Sequence, residues 1–226
     1  MIESGSIHRL PDAEAERENM EQLGLRERKK LIRLRRILQA AEKLFVDKGF
    51  TNTTIQDIAV EADVGLGTLY LYAKSKEDLL VLVFKQHILE MIDTSFARSN
   101  PEDSLLEQFM SFFDGHIEYH RKDRALSRTV LKELSFSHTE QRRQDIEQIM
   151  WASYSKLREL VSRAAQQPGA QDSAAVRFAG TTAWSAFALY YHLLQGFLCG
   201  FLSEEHFRKN LRNALAMLLN EDMDAS

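Results

Sequence analysis

Helix breakers are scarce in this chain and fall in only a few places. Its 226 residues include three prolines and ten glycines, and long stretches hold neither. Ser99-Asn100-Pro101 and Gln167-Pro168-Gly169 are the strong breaks in the body of the chain. Between the breaks apolar residues recur at three- and four-residue spacing, with no useful strand-like alternation and no fixed-period repeat. An all-α fold is therefore expected. The pattern predicts a first helix from about residue 31 to Lys48-Gly49, where Gly49 suits a left-handed cap. A short helix capped by Thr53 or Thr54 follows, then a second from about Leu66 to Tyr72. Ser75 caps a long helix ending near Arg98. Further helices are expected at about 102–121, 123–136, 140–166, 171–200 and 204–220.

Charge divides the chain into three parts. The net charge is −4, yet residues 26–76 carry +5 between segments of −4 (1–25) and −5 (77–226). A basic segment between acidic ones points to a local polyanion site. Residues 1–25 are polar, acidic and poorly periodic, and are expected to be a disordered or frayed extension. Residues 26–76 then form a small three-helix unit, and 77–226 a larger helical bundle. Cys199, the single cysteine, excludes an internal disulfide framework and fits a reducing cytoplasm, the expected location. No signal peptide is evident at the N-terminus. The most apolar run, Ala186 to Leu202, is interrupted by His192 and Gln195 and makes a poor membrane span. Neither a membrane partner nor a cofactor is expected.

The segment from Thr53 to Lys76 carries the most specific chemistry. A short amphipathic helix, a tight turn at Asp63-Val64-Gly65 and a second short helix make the pattern of a helix-turn-helix, whose second helix enters the DNA major groove. Close crossing needs small residues, which Ala59, Ala62 and Gly65 supply. Gly65, Gly67 and Thr68 let the backbone approach phosphate, and Thr54 sits at a helix start that favours anions. Tyr70 and Tyr72 offer hydroxyls, and Lys74 and Lys76 charge, for contacts that set register but not sequence. On this reading, removing the Lys76 charge weakens binding to every sequence and flattens its salt dependence. Leu66, Thr68 and Leu71 are the base-facing candidates; no Arg, Asn or Gln on this helix makes a bidentate contact, which leaves part of the specificity to DNA shape. The basic run from Arg26 to Arg36, with Arg35 and Arg36 nearest the motif, is placed to follow the phosphate backbone or reach the minor groove.

Residues 36–79 resemble the DNA-binding domain of the TetR family of bacterial regulators. The matching residues are Ala40, Ala41 and Phe45, Gly49-Phe50, Thr53-Thr54-Ile55, Asp57-Ile58-Ala59, Ala62, Val64, Gly67-Thr68-Leu69-Tyr70, Tyr72, Lys74-Ser75-Lys76-Glu77 and Leu79. Two positions depart from the family: Gly65 stands where Ser is common, and Ala73 where Phe is common. The resemblance implies an effector-binding and dimerisation domain from about residue 85. It also implies a homodimer formed through the last two helices and a near-palindromic double-stranded operator.

The rest of the chain is compatible with those implications. Gly180, Ala183, Ala188, Gly196 and Gly200 allow close helix approach, and Leu211, Leu215, Leu218 and Leu219 form a stripe that suits either a dimer face or an internal core. An aromatic- and Met-rich composition suits a small, mostly apolar effector. His87, Met91, His116, Tyr119, Trp151, Trp184 and Tyr191 are the candidate lining. His116 and His120 lie one helical turn apart, but Asp114 and Glu118 fall on other faces, so no metal is expected. Cys199 lies in an apolar stretch, where thiols are usually buried and inert. No nucleophile–base pair or phosphate loop is present, and no enzyme is expected. The reading is a ligand-responsive transcriptional regulator, a repressor released from its operator by a small molecule. The alternative is a DNA-binding protein whose C-terminal bundle binds a protein partner.

Overall fold

The computed structural model describes residues 24–135, 140–166 and 174–220. The expected extension at 1–25, but for its last two residues, and the break at 167–169 lie outside them. Ten helices and no strand occur among the described residues: α1 Leu25–Asp47, α2 Ile55–Glu61, α3 Leu66–Leu69, α4 Lys76–Arg98, α5 Leu105–Lys122, α6 Arg124–Ser135, α7 Glu140–Ala164, α8 Ala174–Arg177, α9 Ala179–Cys199 and α10 Glu204–Leu219. The chain divides into two compact units, Met1–Val83 and Phe84–Ser226. The division falls inside α4, about two turns beyond Lys76.

In the N-terminal unit, α1 starts one to two turns earlier than its apolar periodicity indicates. Its opening Arg, Lys and Leu residues are good helix formers that need no buried face. Ile37, Ala41 and Phe45 of α1 pack the core with Ile58 and Ala59 of α2 and Leu69 of α3, all buried. Gly49 takes φ +79 after the helix, and Phe45 meets Phe50 at 5.3 Å between ring centroids. Buried Thr53 does not cap α2. Its hydroxyl donates to the Leu44 and Gly49 carbonyls at 3.1 and 2.9 Å, closing the end of α1.

In the C-terminal unit, Ser104 caps α5 by accepting from the Glu107 amide. The inner face of α5 carries fully buried Phe109, Phe112, Phe113 and Ile117. At the α4–α5 crossing a Cβ on Gly115 would stand 2.9 Å from Ser95 Cβ and 3.3 Å from its Cα. Gly115→Ala should therefore cost about 1–3 kcal/mol through overpacking, measured as a lower denaturation midpoint with an unchanged m-value. The predicted 171–200 helix is broken at Phe178 (φ −111, ψ 36) into α8 and α9, and the Thr182 hydroxyl bridges the break by donating to Ala175 O. The α9 C-terminus is closed by left-handed Gly200, and Arg124 and Arg128 of α6 donate to its last carbonyls at Phe197 and Leu198.

Leu211, Leu215 and Leu219 of α10 are buried within the subunit, and a Cβ on Gly196 would stand 2.7 Å from Leu202. Those features serve intramolecular packing. The outer faces of the same helices carry exposed Ala188, His192, Gln195 and Cys199 on α9 and Asn213 and Met217 on α10. Cys199 is thus exposed, contrary to the expectation of a buried thiol: it lies at the outward end of the helix, next to the Gly200 turn.

Candidate functional site

Thr54 opens α2 with a complete capping box. Its hydroxyl accepts from Asp57 N at 3.1 Å, and its own N–H donates to Asp57 Oδ2 at 3.0 Å. The Thr54 N–H donated to its carboxylate, with the nearby Thr54 side chain adding to the effect, holds the Asp57 carboxyl below the usual carboxylate range. At the other end, Asp63 N donates to Val60 O and Val64 N to Ala59 O, both at 3.0 Å, making a Schellman closure. The left-handed residue is Asp63 (φ 51), while Gly65 keeps an ordinary φ of −63. Arg36 reaches this turn from α1, donating to Ala62 O at 2.7 Å, Asp63 O at 3.2 Å and Asp63 Oδ2 at 2.9 Å. Its charge lies at the negative end of the α2 dipole, so its observed work is to fix the turn.

The second helix of the motif is shorter than the sequence pattern indicates. Beyond Leu69 it continues as tighter turns, with Leu71 N and Tyr72 N donating to the carbonyls three residues back. Leu69 is fully buried and anchors it. Leu66, Gly67, Tyr70 and Leu71 face outward, Leu71 at 80% exposure, and Thr68 is half-buried. A Cβ on Gly67 would meet nothing within 4 Å, so this backbone is open to close approach. The Tyr72 hydroxyl donates to Lys30 O of α1 at 3.3 Å, and Lys74 Nζ to Tyr70 O at 3.0 Å. Lys76 Nζ is held more firmly: it donates to Phe50 O, Thr51 O and Thr53 O at 2.7, 3.3 and 2.9 Å and lies 4.5 Å from the Phe50 ring centroid. Arg35 is exposed on α1.

Of the seven expected effector residues, two come together in one groove and the other five lie elsewhere. Trp151 and Trp184 line an open groove of about 560 Å³ between α7 and α9. Glu147, Met150 and Tyr154 complete the α7 side, Gly180 and Thr181 the α9 side. Trp151 and Tyr154 rings are 5.0 Å apart and Tyr154 and Trp184 rings 6.0 Å, tilted at 58° and 68°. His116 lies instead in the core, its Nδ1 2.9 Å from Phe112 O and its ring against Tyr190. Since Phe112 O only accepts, Nδ1 carries the hydrogen and Nε2 is left an acceptor. Burial pushes His116 down to about 4 and His120 to about 3. His87 and Met91 are buried on α4, with the His87 pKa also lowered by burial. Half-buried Tyr191 shares a 3.0 Å hydrogen bond with Ser135, and half-buried Tyr119 contacts His120. Glu147, Met150 and Tyr154 escaped the sequence reading, although 147, 150, 151 and 154 have the spacing of one helix stripe. Among the described residues no three His, Cys, Asp or Glu side chains gather as a metal site, and no helix is long and apolar enough to cross a membrane.

A capped α2, a closed turn and a short outward-facing α3 form a helix-turn-helix. Residues 37–83 match the family described as bacterial regulatory proteins, tetR family. The repressor KstR2 of Mycolicibacterium smegmatis is 28% identical over 68% of this chain and 77% of its own length. The fatty acid metabolism regulator protein of Bacillus subtilis is 29% identical over 50% of this chain, and the match spans 58% of that relative. With the B. subtilis regulator YerO the identity is 35% and the match spans 29% of the relative. A TetR regulator from Rhodococcus sp. RHA1 shares the fold with a TM-score of 0.65 at 23% identity, over 88% of this chain and 100% of that one. Thermus thermophilus FadR, solved with lauroyl-CoA, gives 0.63 at 19% identity over 85% and 96%. Residues 37–83 are thus similar to the DNA-binding part of tetR-family regulators, and the solved TetR structures share the fold of this chain.

Proposed function

We propose that the protein is a ligand-responsive repressor. A homodimer holds a near-palindromic operator through α2 and α3 of each subunit and lets go when a small, mostly apolar molecule occupies the α7/α9 groove. The groove carries this reading, because two exposed indoles and a tyrosine beside an open volume of about 560 Å³ suit an apolar ligand. The neighbour crystallised with lauroyl-CoA supports a ligand-bound state of this fold in that protein. In this chain Gly67, Thr68, Tyr70 and Lys74 meet phosphate, Leu66, Thr68 and Leu71 face the bases, and Arg35 follows the backbone. Dimerisation uses the outer faces of α9 and α10, around Ala188, Gln195 and Met217. Ala188→Arg with Met217→Glu should yield a monomer in sedimentation velocity with at least tenfold weaker operator binding; a dimer with full affinity would remove this interface.

Coupling runs through α7, which carries the groove and is also paired to α4. Lys85 of α4 meets Asp145 of α7 at 2.6 Å, and Lys156 of α7 meets Asp93 of α4 at 3.0 Å. A ligand acts only through its different affinities for DNA-competent and incompetent forms, and α4 is the element both units share. Breaking the buried Lys85–Asp145 pair from one side would leave a charge unpaired, whereas replacing both partners with apolar residues is often tolerated. Lys85→Met with Asp145→Leu should therefore fold, keep operator affinity and respond less to ligand. Fluorescence anisotropy of a labelled operator, with and without candidate ligands, measures both. An undiminished response in the double variant would remove this route; operator affinity unmoved by every saturating ligand would remove effector control.

A further inference from the structure

We propose that the α7/α9 groove selects an apolar organic cation, a long-chain or aromatic quaternary ammonium being the simplest type; this rests on the groove being the effector site. The seven residues lining it include one carboxylate, Glu147, and no lysine or arginine. Its walls are the rings of Trp151, Tyr154 and Trp184. Those rings meet at 58° and 68° instead of stacking, so ring faces remain for a ligand. Electron-rich indole and phenol faces attract a desolvated cation more than a neutral group of the same shape. Gly180 leaves the room: a Cβ there would come within 3.1 Å of the Tyr154 hydroxyl.

Charge at the rim has the matching sign. Arg143 lies one turn before Glu147 and donates to its Oε1 at 2.8 Å, but it also donates to both carboxylate oxygens of Glu140, at 3.1 and 2.6 Å. One guanidinium shared by two carboxylates leaves the cluster with a net negative charge. A polyanionic headgroup finds no cationic lining here, which sets this groove apart from the chemistry an acyl-CoA requires. A cation bearing an alkyl chain or ring satisfies the carboxylate, the aromatic faces and Met150 together.

Trp151 and Trp184 are the only two tryptophans in the chain, and both line the groove, so intrinsic fluorescence reports on its occupancy. The full-length protein is titrated, below micellar concentrations, with decyltrimethylammonium, decanol and decanoate, which share a chain and differ in head charge. The cation should bind about tenfold more tightly than decanol, the ratio expected from a cation–aromatic contact, with decanoate weakest. Glu147→Gln should reduce the cation's affinity at least threefold and leave decanol within twofold. Trp151→Leu, with Trp184 as reporter, should erase most of the cation's advantage. Equal or tighter binding of decanol or decanoate overturns the proposal. So does an emission that ignores all three ligands and shifts only as the protein is diluted to monomer, since a second copy then covers the indoles. If decanol or decanoate binds and also weakens operator binding, the groove remains the effector site and only the cation preference falls. If the cation binds as described but operator affinity never moves, the preference stands and the effector reading falls.

Discussion

Lys76→Met should destabilise the N-terminal unit by about 2–3 kcal/mol, the scale of losing several charge-assisted hydrogen bonds and a cation–aromatic contact. It should weaken binding to every DNA sequence as a consequence. Three carbonyls of the loop after α1 converge on this ammonium, and the Phe50 ring lies beside it. Without it, the first turn of α4 and the loop from Phe50 to Thr53 lose their common tie, and with it the register of α2. Salt dependence separates this role from a phosphate contact. Losing one phosphate contact lowers the slope of log affinity against log salt by about 1. Loss of a structural tie lowers affinity and leaves the slope unchanged, when measured at a temperature where the variant is folded. The second result is expected, replacing the flattened salt dependence that the sequence alone suggests.

Acid should unfold the C-terminal unit well before its carboxylates are protonated. His116 and His120 are buried without charge, held at about 4 and about 3 by desolvation, with repulsion from His116 adding to the effect on His120. Unfolded, both return to about 6.5. Below that value the unfolded chain binds protons that the folded chain refuses, so stability falls as pH falls, until the folded values are reached. Between pH 8 and pH 5 the two residues together remove on the order of 4 kcal/mol. His87, also lowered by burial, adds in the same direction. Chemical denaturation at half-unit steps across that range measures the slope, and His116→Phe with His120→Leu should flatten most of it. A slope unchanged in that double variant would show that other groups carry the acid sensitivity.

The reading head was legible because its signals are local. Thr54 and Asp57 are three residues apart, the closure at Asp63 spans six residues, and Leu69 is an apolar residue facing inward. Arg36 and Lys76 illustrate what local pattern misses. Both are cations beside a DNA-binding motif, and sequence reasoning assigned both to phosphate. Each instead bonds to backbone carbonyls 23 to 27 positions away, partners that exist only after folding. Distance along the chain hid how the groove is assembled, although both of its tryptophans were expected to line a ligand site. Trp151 and Trp184 come from two helices, and nothing in either segment indicates which face meets the other. The same limit applied to His116, which read as a ligand-facing group and proves to be packed against Phe112 and Tyr190. The α10 leucine stripe suited either a dimer face or a core, and its burial within one subunit decides for the core at Leu211 and Leu215.

The central claim is that α2 and α3 of two subunits grip DNA together. Selection from a pool of random duplexes with the full-length protein tests it most directly. The expected product is an inverted repeat whose half-site centres lie one helical turn, or a whole number of turns, apart. Its affinity should fall linearly on a log–log salt plot, and it should be lost in Gly67→Glu, which places a carboxylate where the backbone is open to phosphate. No enriched sequence, or an enriched sequence that Gly67→Glu binds as tightly as the unaltered protein, would contradict the account.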